Sequence, residues 1–436
     1  MGHRAQHPGL SADRCPGDAD GARPWPAVLS RADAAGRRPG RGSALCQLDL
    51  APAGRWLDQH LQPGHPGHGG MSLAARLTRC PDPYDPERGR EAADRVPDLP
   101  AELRGLVAGA AGCSPYLGGL IAREAAWLPG ALNAPEAALE AALAALPELP
   151  EAELAAGLRA AKRRIALLTA LMDLGGAWSL DEVTGALSRL ADAAVEACVT
   201  RLTAAQIARG ALPAAAQGAP AAGMVVLAMG KGGAMELNFS SDIDLICLFD
   251  DSLLERPEVA EVRAVLVKVT RRMTRLLSDI TADGYVFRTD LRLRPDAAVT
   301  PACLPISSAE SYYESLGRTW ERAAYIKARP AAGDIAAGAR FLTALTPFVW
   351  RRHLDFAAIE DAHAMRLRIR DHKGLGGPFR LEGHNLKLGR GGIREIEFFA
   401  QTRQLIAGGR DPSLRVRRTE DALARLSAAG WVPPDS

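Results

Sequence analysis

Met224-Val-Val-Leu-Ala-Met-Gly-Lys-Gly-Gly-Ala-Met-Glu-Leu-Asn-Phe-Ser-Ser-Asp-Ile-Asp-Leu-Ile-Cys-Leu-Phe249 is the stretch on which the reading of this chain turns. Met224 to Met229 is a short continuous apolar run, the pattern of a buried strand. A glycine turn, Gly230-Lys231-Gly232-Gly233, separates it from a second strand, Asp242 to Phe249. Side chains two apart on a strand share a face. Asp242 and Asp244 therefore project together, while Ile243, Leu245 and Cys247 face the other way. A long helix follows, with Val259, Val262, Leu266, Val269, Met273, Leu276 and Ile280 on one stripe and Gly284 at its close. Tyr285 to Leu293 is then predicted as a third strand, with Arg288, Asp290, Arg292 and Arg294 on one face. Tyr285, Phe287, Thr289, Leu291 and Leu293 take the other. Strand, turn, strand, helix, strand is an α+β unit.

If the second and third strands are neighbours, Asp242, Asp244 and Asp290 converge beside a row of guanidinium groups. Close carboxylates repel one another unless a cation sits among them. Magnesium (Mg2+) takes hard oxygen ligands and keeps waters or substrate phosphate oxygens as the remainder. Two such ions stabilise the entering and leaving oxygens of a displacement at phosphorus, and arginine forks hold phosphate oxygens. The parts describe a phosphoryl- or nucleotidyl-transfer site with Asp242, Asp244 and Asp290 as catalytic and metal-binding residues. Gly230 and Lys231, with Ser240 and Ser241, add backbone and side-chain donors for an anion. The spacing is not that of a P-loop, and taken alone Gly-Lys-Gly-Gly fits a plain tight turn equally well. Two bland readings stand beside this one. Ser241 and Asp242 would serve turn amides at a polar strand entrance, or Asp290 would sit in an exposed Arg–Asp–Arg ladder. Against the first, two carboxylates opening a strand that continues Leu-Ile-Cys-Leu-Phe are costly to desolvate without a purpose.

Outward from this stretch, the 436 residues allow two or three domains. Lys plus Arg number 53 against 51 Asp plus Glu, so a surface built to coat nucleic acid is not expected and any nucleotide recognition must be local. No apolar run reaches the roughly 20 residues of a membrane helix, and the N-terminus has no secretory apolar region. The seven cysteines are scattered without paired spacing, which suits reduced thiols in a cytoplasmic protein, with Cys247 in the core. Residues 1–70 are rich in Gly, Pro, Arg and His and are expected to be disordered or a non-native extension, with Met71 as the true start. The histidines at 60, 65 and 68 read as part of that segment rather than a metal tract. Residues 71–215 form a helical N-terminal region. Leu154, Leu158, Ile165 and Leu168 mark one helix face there, and Ser179 with Glu182 has capping-box spacing. The linker 214–223 leads into a core at 216–307. Residues 308–436 are helical again, apart from a glycine-rich passage at 374–392.

At the Gly-Lys-Gly-Gly and Ser-Asp-Ile-Asp motifs the sequence resembles the bifunctional glutamine synthetase adenylyltransferase/adenylyl-removing enzymes. Phe287-Arg-Thr-Asp-Leu-Arg-Leu-Arg-Pro295, Gly317-Arg-Thr-Trp-Glu-Arg-Ala-Ala-Tyr-Ile-Lys-Ala-Arg-Pro330, Pro347-Phe-Val-Trp-Arg-Arg352 and Lys387-Leu-Gly-Arg-Gly-Gly-Ile-Arg-Glu-Ile-Glu-Phe398 extend the likeness in order, from about Met71 onward. The resemblance implies a DNA polymerase β-like nucleotidyltransferase core within largely helical domains, with ATP among its nucleotides. It also implies a role in nitrogen assimilation under a PII signalling protein. The family carries two such halves. The single Ser-Asp-Ile-Asp motif suggests the N-terminal, adenylyl-removing half, with the adenylyltransferase half absent. The implied reaction is phosphorolysis of an adenylyl-tyrosine on adenylylated glutamine synthetase: inorganic phosphate attacks and ADP leaves. In this frame Gly230, Lys231 and Ser240 touch the nucleotide phosphate, and Arg292 or Arg294 holds the attacking phosphate. Neither nucleic acid nor a membrane is an expected partner.

Two later motifs stay open. Arg318, Trp320, Glu321, Arg322 and Lys327 line the nucleotide cleft or form an ordinary amphipathic helix. Gly389 to Gly392 precedes a helix with Ile393 and Ile396 on its buried stripe, whose N-terminus would suit an anion. Either Glu395 or Glu397 approaches the site, or both are solvated. The other functions considered are a uridylyltransferase of a signalling protein and a non-catalytic half that docks the synthetase or PII.

Overall fold

The computed structural model describes residues 71–352 and 381–433. The expectations for residues 1–70, and for the first part of the glycine-rich passage, lie outside the described residues.

The apolar runs at 224 and 243 form the centre of a mixed five-stranded sheet. Strand β1 (Met224–Ala228) pairs antiparallel with β2 (Ile243–Phe249), placing Met224 opposite Phe249 and Ala228 opposite Leu245. The outer edge of β2 carries two short parallel strands. β3 (Thr289–Asp290) lies against Ile243 and Asp244, and β4 (Cys303–Pro305) against Cys247 to Phe249. On the far side of β1 runs β5 (Arg329–Gly333), antiparallel with a register shift between Val226 and Leu227. An edge position tolerates Pro330, which has no N–H to offer a second neighbour.

Both faces of the central pair are covered, which is why these strands are continuously apolar rather than alternating. Met224, Val226, Ile243, Leu245, Cys247 and Phe249 join an apolar cluster that extends through the helices of residues 73–208. Its backbone is formed by α1 (Leu154–Leu174) and α2 (Leu180–Ala208). Leu154, Leu158, Ile165 and Leu168 are fully buried, as their spacing predicts, and the Ser179–Glu182 capping box forms at the start of α2. The one-turn helix α3 (Gly230–Gly233) links β1 to β2, and α4 (Arg256–Ser278) packs Val262, Leu266, Val269, Met273 and Leu277 onto the same cluster. The opposite sheet face, Val225, Leu227, Ile246 and Leu248, packs on Tyr313, Tyr325, Phe341 and Phe348. These come from α5 (Ile306–Ser315), α6 (Thr319–Tyr325), α7 (Ile335–Ala344) and the short turn of helix after it. Two further helices, α8 (Ile393–Ala407) and α9 (Thr419–Ala428), end the described chain. Among the described residues no helix is long and apolar enough to cross a membrane.

Four expectations are corrected. The predicted strand from Tyr285 to Leu293 is a strand only at Thr289 and Asp290, because side chains capture the backbone on both sides of it. The helix before it ends at Asp279 rather than Gly284, so Ile280 is 83% exposed; Gly284, at φ +79°, instead bridges back to Thr281. The stretch after 308 is not wholly helical, since β5 crosses it. Lastly, Ile393 and Ile396 are about half exposed and line an open hollow with Leu381, His384 and Leu386. The second half of α8, through Ala400, Gln404, Leu405 and Ala407, is what packs inward.

Candidate active site

The site is assembled where β2 begins. Its first support is the turn between β1 and β2. Gly230 has φ +53°, a conformation that favours glycine, and the Asp244 carboxylate lies close against it, Oδ2 standing 2.9 Å from where a Cβ would be. The Met229 amide donates to the Asp244 carbonyl at 2.9 Å, tying the turn to the strand. Gly233 is closed in more tightly: a Cβ would fall 1.8 Å from the Lys327 carbonyl oxygen and 2.7 Å from that of Ala228. The turn is thus clamped between β2 and the segment entering β5.

Parallel pairing of β2 with β3 sets Asp244 directly beside Asp290. Asp244 shares its face with Ile246 and Leu248, so its carboxylate stands where that buried face opens toward the surface. Burial, then the charges of Asp290 and Asp242, push its carboxyl up to about 6; Arg292 and Lys387 pull the other way. Both outer aspartates therefore act on Asp244. Each of the outer two is turned onto an arginine. Asp242, exposed just ahead of β2, accepts from Nε of Arg288, whose Nη2 donates to the Ser240 carbonyl at 2.6 Å. Asp290 accepts from the Arg292 amide at 2.8 Å and from its Nε at 2.9 and 3.0 Å. That arginine holds the Asp290 carboxyl below its usual range.

The remaining sequence candidates separate. Arg292 is 85% exposed and its guanidinium is paired with Asp290. Arg294 is not at the carboxylates: its guanidinium donates to the carbonyls of Leu291, Ala297 and Thr300, clasping its own loop. Ser241 Oγ accepts from the Asn238 amide at 3.0 Å, so it does serve a turn amide, whereas Asp242 does not. Lys231 is half-buried on the turn, and Ser240 is exposed. Further along, Glu321 accepts from the Arg318 amide and the Tyr312 hydroxyl, and Arg322 lies over the Phe348 ring. Both are buried packing elements. Two cations had no role assigned from sequence. Arg288 was visible only as one of a row of arginines, and Lys387, from the glycine-rich passage, acts on Asp244 through its charge and only in the fold.

Among the described residues, no three acidic, His or Cys side chains are already grouped as a cation cage. The donor chemistry nonetheless fits a hard divalent ion. All three candidates are carboxylates, and Asp244 carries an excess of negative charge that its burial makes costly. Asp242 and Asp290 have to turn from Arg288 and Arg292 to join it.

Residues 107–344, more than half of the chain, match the family model described as glutamate-ammonia ligase adenylyltransferase. Residues 363–436 match that of the GlnD PII-uridylyltransferase. Curated relatives carry the description bifunctional glutamine synthetase adenylyltransferase/adenylyl-removing enzyme. That of Caulobacter vibrioides is 48% identical over 377 residues, covering 83% of this chain and 38% of the relative. That of Rhizobium meliloti is 52% identical over 289 residues, covering 65% and 29%. That of Xanthobacter autotrophicus is 53% identical over 286 residues, again 65% and 29%. The chain spans about two fifths of the Caulobacter relative's length. Matched over most of its sheet and helical core, the chain belongs to the glutamate-ammonia ligase adenylyltransferase family.

Proposed function

We propose that the chain removes AMP from adenylylated glutamine synthetase by phosphorolysis, on a DNA polymerase β-like nucleotidyltransferase core. An oxygen of inorganic phosphate forms the new bond to the AMP phosphorus. The bond from that phosphorus to the tyrosine oxygen breaks, the tyrosine takes up a proton, and ADP leaves. The observation that carries this reading is the in-register placement of Asp244 beside Asp290, with Asp242 close enough to act on Asp244. Asp242, Asp244 and Asp290 would hold Mg2+, which when bound supplies charge stabilisation at the phosphorus and the leaving oxygen. Gly230 brings the turn's backbone against Asp244, and Lys231 and Ser240, from the same β1–β2 connection, would add donors for the nucleotide phosphate. Ser241 acts through the turn it closes. Arg292 holds the attacking phosphate once released from Asp290.

The deciding experiment incubates this chain alone with adenylylated synthetase. ADP release that needs both phosphate and Mg2+ is the expected result; intact adenylylated synthetase after long incubation removes the reading. Within it, Arg292→Ala is expected to raise KM for phosphate about tenfold, the scale of one lost charge-assisted contact. Arg294→Ala should leave that KM unchanged and lower the melting temperature, since it frees three loop carbonyls. A second reading rests on the match of residues 363–436 to the PII-uridylyltransferase model. Release of UMP from a uridylylated PII protein, without ADP release, would favour it. The same match supports a PII protein as the regulatory partner.

A further inference from the structure

Lys327 sits in the last turn before β5 with its side chain only 3% exposed. A buried ammonium is costly unless each of its three donors finds an acceptor. Here all three do, on three different segments. Nζ donates to Glu236 Oε2 at 2.9 Å, to Glu397 Oε1 at 2.7 Å and to Thr419 Oγ1 at 3.1 Å. Glu236 closes the turn that starts at Gly230, since its amide donates to the Lys231 carbonyl at 2.8 Å. Its other oxygen accepts from the Thr419 amide at 3.1 Å. Glu397 belongs to α8, and Thr419 is the first residue of α9. The Lys327 carbonyl is also the group against which Gly233 is packed. Two residues on, Arg329 donates to the Gly232 carbonyl at 2.9 Å and to Asp192 of α2 at 2.8 Å.

We propose that Lys327 is a positioning residue that couples the C-terminal helix pair α8 and α9 to the Gly230–Glu236 turn, so that the turn holds its place against Asp244 only while that pair is docked. The inference rests on the proposed function for its catalytic consequence, but not for the coupling itself. Two carboxylates from separate segments share one ammonium. Loss of Glu397 on the α8 side therefore weakens the hold on Glu236 only if the three act as a unit. A simple surface pair would confine the effect to α8.

The test uses the full chain with Glu397→Gln, which keeps size and hydrogen bonding at a site 28% exposed and leaves Lys327 with Glu236. Amide hydrogen exchange, measured without metal or nucleotide, is expected to quicken about tenfold in residues 230–237 as well as at the start of α8, and to stay unchanged in α1. In turnover, kcat should fall while KM for the adenylylated synthetase is kept. Lys327→Met is the stronger variant, with the same pattern expected at larger amplitude. Should it fail to fold, Glu397→Gln decides alone. Quicker exchange confined to α8, or spread evenly through α1 and the sheet, would overturn the coupling. If the unaltered chain releases no ADP, the proposed reaction fails, while the exchange result still stands or falls by itself.

Discussion

Asp244→Asn is expected to abolish phosphate-dependent ADP release and, in metal-free protein at neutral pH, to raise stability rather than lower it. Activity is lost because the amide offers no charge to a cation and half the oxygens. The stability effect follows from the direction of the shift. Burial and the neighbouring aspartates push the Asp244 carboxyl up from 3.8 to about 6 in the folded chain, so the folded state binds its proton more tightly than the unfolded state does. Its contribution is fully present below the unfolded value and is lost as pH rises through the folded one. At about pH 7.5 the ionised group costs the fold roughly 2–3 kcal/mol, a cost that asparagine does not incur. Melting curves in a chelator should therefore coincide near pH 4, separate as pH rises from about 4 to about 6, and stay apart above it with the variant higher. Excess Mg2+ should raise the melting temperature of the unaltered chain and leave the variant where it was. A variant less stable than the parent at neutral pH in chelator would contradict this account of the carboxylate cluster.

Gly233→Ala is expected to be the most damaging single-methyl change in the site region. The added Cβ meets two backbone oxygens, on Lys327 and Ala228, neither of which can rotate away. Relief requires β5 and the turn to separate, which also strains the Lys327 and Arg329 contacts to Glu236 and Gly232. Overpacking of this kind costs about 3 kcal/mol. Chemical denaturation should show a lower midpoint, with turnover reduced even well below the unfolding transition. A midpoint equal to the parent's would mean that the turn is looser than its packing implies. Gly232→Ala is the natural control, because its Cβ meets no atom closer than 3.8 Å.

Much of the site was readable because its chemistry depends on neighbours in sequence. Asp242 and Asp244, two apart at a strand start, need no tertiary information to be placed together. The glycines before them mark a turn whatever packs on it. The third carboxylate was reachable too, but for an incomplete reason. Phe-Arg-Thr-Asp-Leu-Arg-Leu-Arg alternates like a strand across eight residues, yet only Thr289 and Asp290 pair. The Asp290 side chain takes the Arg292 amide, and Arg294 takes the carbonyls of Leu291, Ala297 and Thr300. Side-chain capture of backbone groups competes with a ladder, and alternation does not report it. Ile393 and Ile396 misled in the same way. Helical spacing shows that two residues share a face, not whether anything covers it.

Local order, then, was set by the chain's own pattern: apolar runs make β1 and β2, a capping box starts α2, and paired acids open a strand. Those outcomes depend on dihedral preferences and periodicity, which act over a few residues. Which cation answers which acid was settled only by folding. Arg288 rather than Arg294 meets Asp242, Lys387 acts by charge on Asp244 from about 140 residues away, and Lys327 joins segments that lie 91 and 70 positions from it. Long flexible side chains such as Lys and Arg can serve many partners, and only the packing of the sheet between its two helical layers leaves them a single choice.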